Sequence, residues 1–146
     1  MAGYTGTLTG SSTFSGAGFL AGDTADVNMS DKVHIHFTTP TSGTMTSTIT
    51  LSGIVTAGSE TYPFSITENL GTLHFHNDRA QIDFNSTIDG VPVSLTGVAI
   101  IHKIGGVVHV HGTVTGGEDI SGSLSFAGAT HEVAVVGASA ADLHSA

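Results

Sequence analysis

Alternating apolar and polar residues predict an all-β protein, an up-and-down antiparallel β-barrel of about eight to ten strands. Three observations lead there. The run Thr44-Met45-Thr46-Ser47-Thr48-Ile49-Thr50-Leu51 has the period of a strand, whose side chains point to opposite faces in turn. Two-residue turn signals recur: Gly58-Ser59, Asn77-Asp78, Asp89-Gly90 and Gly105-Gly106. When each hairpin is phased on its turn, nearly every aliphatic residue falls on one face, and Thr, Ser and most of the nine histidines fall on the other. A sheet this long twists and curls, and closing it removes exposed edges. A two-layer β-sandwich satisfies the same alternation and is the alternative fold.

In chain order, Tyr4 to Phe14 alternates weakly and adds a candidate first strand. Residues 16–31 read as an irregular loop; its Asp23, Asp26 and Asp31 match no calcium-loop motif and read as solvated. A loop from Pro40 to Gly43 sets Phe37 against Met45 and Ile35 against Ser47. Gly58-Ser59 sets Val55 against Tyr62 and Leu51 against Ile66. A turn at Asn69-Leu70 sets Ile66 against Leu73 and Phe64 against Phe75. Asn77-Asp78 sets Phe75 against Ala80 and Leu73 against Ile82. Asp89-Gly90 sets Ile88 against Val91, Ser86 against Val93 and Phe84 against Leu95. Gly105-Gly106 sets Ile101 against Val110 and Ala99 against Gly112. The loop Gly116-Gly117-Glu118 sets Val114 against Ile120 and Val110 against Leu124, and Gly128-Ala129 then sets Leu124 against Val133. The tail 138–146 reads as a frayed end.

The 146 residues are enough for one domain, 1–146, with a single core. Charged residues are only 10% of the chain, so polarity rests on Thr, Ser, Asn and His, which suit half-exposed strands. The net charge is −9, and Lys32, Arg79 and Lys103 are the only strong cations. No basic stripe exists to track phosphates, so neither nucleic acid nor an anionic membrane is an expected partner. With no cysteine there are no disulfides, thiolate metal sites or Cys nucleophiles. The first residues show no cationic or apolar signal region, and no run approaches the roughly 18 apolar residues of a spanning helix. A cytoplasmic location is the expectation.

Three His-x-His pairs occur: His34 and His36, His74 and His76, His109 and His111. Each pair projects from one face, away from Ile35, Phe75 and Val110. The register also sets His102 opposite His109, with His111 next along the same face. His102, His109 and His111 are therefore a candidate metal site, because three imidazoles suit a divalent zinc, copper or nickel ion. The competing reading is a polar outer surface, where His beside Thr needs no ligand.

The inner face is interrupted by Gly53, Gly97, Ala99, Gly112 and Gly122. Small residues there either let the sheet coil tightly or leave a cavity for a small apolar molecule. The candidate ligand-binding residues are Tyr62, Phe64, Ala99 and Gly112, with Lys103 and His131 placed by phase at a barrel mouth. No nucleophile elbow, phosphate loop or dinucleotide fingerprint is present, so no catalytic residue is assigned. Three functions fit. The first is a barrel that binds a small apolar ligand, or binds and acts on it. The second is a metal-dependent enzyme. The third is a self-assembling or membrane-inserting β protein, and a second copy of the chain, in a homo-oligomer, is among the partners to expect.

Overall fold

The alternation seen in the sequence carries through eight strands of a computed structural model, which describes residues 3–16, 23–88, 91–117 and 120–133. The strands are β1 (Gly3–Ser15), β2 (Thr24–Thr39), β3 (Ser42–Ala57), β4 (Glu60–His76), β5 (Arg79–Ile88), β6 (Val91–Ile104), β7 (Val107–Gly116) and β8 (Ser123–Val133). Each pairs antiparallel with its neighbour in sequence, and β8 returns to β1, so the sheet closes into an up-and-down barrel. No helix among the described residues is long and apolar enough to cross a membrane.

Four predicted hairpin registers are observed. Val55 lies opposite Tyr62, Phe75 opposite Ala80, Ile88 opposite Val91, and Ile101 opposite Val110. At Asn77 and Asp78 φ is 53° and 66°, the left-handed pair that a tight primed turn requires. Asp89-Gly90 itself lies outside the described residues, as do 17–22 and the tail 138–146.

Several expectations are corrected. Residues 24–31 are not loop; they are the first half of β2, in register with both β1 and β3. The β2–β3 connection is tighter than expected, placing Ile35 opposite Met45 and Phe37 opposite Gly43. Asn69-Leu70 is not a turn. β4 continues through it, because Leu70 is taken up as a bulge opposite Ser47 and Thr48. Gly71 supplies the φ of +75° this needs, and its N–H donates to Asn69 Oδ1 at 2.8 Å. Gly128-Ala129 is not a turn either. β8 runs through it to pair with β1 as well as β7, with Val114 opposite Leu124 and Val110 opposite Gly128. The β7–β8 connection, from Gly116 to Ser123, is longer than the expected Gly116-Gly117-Glu118 loop, so this register lies four residues from the predicted one; the step is even, and Leu124 and Phe126 keep the inward face.

The inward side chains form the core. Leu8, Ile35, Met45, Phe84, Ile101, Val108, Val110 and Leu124 are almost wholly buried. One end of the barrel is plugged by aromatic rings. Phe37 stands edge-on to Tyr4 at 5.8 Å and to Phe75 at 5.2 Å between centroids. Lys103 Nζ sits 5.4 Å from the Tyr4 ring and 5.3 Å from the Phe37 ring, covering the plug with its charge.

Candidate functional site

The barrel wall is laddered all round except in one place. Between β4 and β5 only Phe75 pairs with Ala80 and His76 with Arg79. Beyond that hairpin the two strands have no further ladder pairs. Every other neighbouring pair is matched over six residue pairs or more. The hairpin end of this seam is clamped: Asp78 N–H donates to the Thr41 carbonyl at 2.9 Å, and Ile101 N–H donates to the Asp78 carbonyl at 2.8 Å. Further along, one side-chain bond crosses the gap, from Ser86 Oγ to Glu68 Oε2 at 2.9 Å. Unpaired strand edges beside apolar side chains are costly in a finished fold.

Inside the wall lie two small apolar cavities of about 30 Å³ each. One is lined by Phe14, Ala25, Val27, Val55, Phe64 and Ile120, at the end away from the aromatic plug. The other reaches the seam through Leu70, Leu73, Ile82 and Phe84. Leu51, Leu95 and Leu124 line both and separate them. Both are far smaller than the roughly 300 Å³ or more of a ligand pocket, so a drug-sized guest enters only by displacing side chains. The side chains best placed to move are on β4. Phe64, Ile66, Leu70 and Leu73 point inward yet stay half-buried.

The second cavity also has a polar lining. Asp31 and Ser47 face it, 7% and 2% exposed, and the Ser47 hydroxyl donates to Asp31 Oδ1. Burial pushes the Asp31 carboxyl above its ordinary pKa, and the hydrogen bond from Ser47 offsets this in part. The loop expected over residues 16–31 conceals Asp31. A period-2 signal was nevertheless present: Ala25, Val27, Met29, Asp31, Val33 and Ile35 all face inward.

The predicted ligand residues divide. Phe64 does line a cavity. Ala99 is fully buried but borders neither cavity. Gly112 leaves no void: a Cβ there would lie 2.7 Å from Phe126 Cζ and 2.2 Å from the Val98 carbonyl oxygen. Its small size is used for close strand approach and to seat the Phe126 ring. Tyr62 is not an inner handle; it is 48% exposed at the unplugged end, and its hydroxyl donates to Glu60. That bond raises the phenol pKa, with smaller contributions from burial and from the charge of Asp23. Lys103 does reach a barrel end, but as part of the plug. His131 points outward, because without a turn at 128–129 the inward position belongs to Thr130.

His102 does lie opposite His109, and both are exposed with His111 on the outer wall. They do not converge, however: among the described residues no three His, Asp or Glu side chains are grouped to hold a metal ion. The outer face shows a different order. The described histidines lie toward the plugged end, in the C-terminal parts of β2, β4, β6 and β8 and the N-terminal part of β7. The opposite rim carries Asp23, Asp26 and Glu60. No protein-family model matches the chain, and no curated protein or solved structure matches it.

Proposed function

We propose that this barrel binds a small apolar molecule, which enters along the β4–β5 seam and lodges between the two internal cavities. The observation that carries the reading is the seam itself, a lapse in an otherwise continuous ladder, bordered by half-buried inward aliphatic residues. Loosely packed β4 side chains can swing aside at lower cost than fully packed core groups, whose displacement strains their neighbours. A guest that covers Leu70 and Leu73 gains about 25 cal/mol for each Å² of apolar surface taken from water.

The membrane-inserting alternative needs an apolar outer band, whereas here most apolar side chains are turned inward and the outer wall is mostly Thr, Ser and His, with Ile54, Val98 and Ile100 among them. The metal-enzyme alternative lacks a grouped ligand set among the described residues.

The test is extraction of the purified protein with organic solvent, followed by mass spectrometry, together with titration of a neutral solvatochromic dye. A co-purifying apolar compound, or saturable dye binding that the compound displaces, is the expected result. Glu68→Cys with Ser86→Cys, bridged by a short thiol-reactive cross-linker, should slow dye entry about tenfold or more, the signature of a gated path. Entry unaffected by the bridge would remove the seam from the mechanism.

A further inference from the structure

We infer that the seam-side cavity anchors the polar head of its ligand on Asp31, and that this head is a protonated amine on an apolar body. The inference rests on the ligand-binding reading and names its ligand class. Asp31 occupies an inward position of β2 between Met29 and Val33, where the alternation otherwise places apolar side chains. It is 7% exposed and lines the cavity together with Ser47. Ser47 supplies one hydrogen bond, to Oδ1. An ionised carboxylate has about four acceptor sites, and the Ser47 hydroxyl fills one of them. An ammonium group brings three donors and a compensating charge.

The rest of the inner wall selects in the same direction. Register places Leu8, Asp31, Ile49 and Glu68 in one row across four strands. Glu68 is half-buried at the seam and holds the Ser86 hydroxyl. An entering amine therefore passes one carboxylate and meets another. A ligand carboxylate would meet two like charges. Lys103, a described cation on the inward phase, is held away at the plug over Tyr4 and Phe37. The net charge of −9 favours approach of cations over anions.

Displacement of a neutral solvatochromic dye by octylamine, octanol and octanoate, near neutral pH and below their micellar range, tests this. Octylamine should compete at about tenfold lower concentration than octanoate, with octanol between them, as one charge-assisted hydrogen bond predicts. Asp31→Asn should bring octylamine to parity with octanol while dye binding persists. Ser47→Ala frees Oδ1 without removing the carboxyl, so it should keep or widen the preference for the amine. An unchanged ranking in Asp31→Asn, parity in Ser47→Ala, or tightest binding of octanoate overturns the Asp31 anchor and leaves the ligand-binding reading intact. Failure of the dye and all three compounds to bind the folded wild-type protein overturns both.

Discussion

The ring of Phe126 on β8 fills the space that Gly112 leaves on β7, directly opposite it in the register. The contact explains why small residues on the inner face do not produce a large hollow. A side chain at position 112 would also press on the Val98 carbonyl across the other strand pair, so both flanking strands oppose it. Gly112→Ala is expected to destabilise the barrel by about 2 kcal/mol, the range for overpacking a filled core. Chemical denaturation checks this, and a change within experimental error would show that Phe126 can retreat.

Phe37 links the two edge-on contacts of the plug and lies beneath Lys103. Phe37→Ala should cost about 2 to 3 kcal/mol, less than a fully buried phenylalanine because the ring is only half-buried. Phe37→Leu should cost less than half of that, since it keeps most of the apolar volume. Thermal melts of the two variants give the comparison. Equal losses would show that ring geometry, rather than volume, holds the plug.

Asp31 gives the stability a definite pH slope. Its carboxyl is held above the ordinary value of 3.8 in the folded state, so between 3.8 and that raised value the folded protein binds more protons than the unfolded chain. This contribution favours folding at low pH and is lost as pH rises through the folded-state pKa. Asp31→Asn, which retains an acceptor for Ser47, should therefore raise stability near pH 7 by about 1 kcal/mol and flatten that part of the curve. Denaturation midpoints from pH 4 to pH 7, compared with wild type, measure the slope. A steeper slope in the variant would contradict the assignment.

Much of the wall was legible in the chain because alternation and turn chemistry are local. Asn77-Asp78 could be read as a hairpin because few residues accept a left-handed pair of dihedrals. The same kind of signal misled at Asn69-Leu70 and Gly128-Ala129, where turn-favouring dipeptides became a bulge and a mid-strand stretch. A dipeptide reports what the backbone can do at that point. Whether it turns there depends on the partner strand, and for β8 that partner includes β1, more than a hundred residues away in sequence. The candidate ligand residues are less legible. Phe64 does line a cavity, but the loop expected over residues 16–31 conceals Asp31, and the three imidazoles share a face without a grouped ligand set among the described residues.

From the residues alone come the strand class, the inward apolar face, the outward histidines and the absence of a basic surface, since each depends on period and composition. Closure between β1 and β8, the unzipped stretch between β4 and β5, and the gathering of histidines at one end were decided only by the assembled barrel. The physical reason is that these features come from register accumulated around a closed ring of strands, in which each pairing constrains the next. No short window of sequence contains that sum.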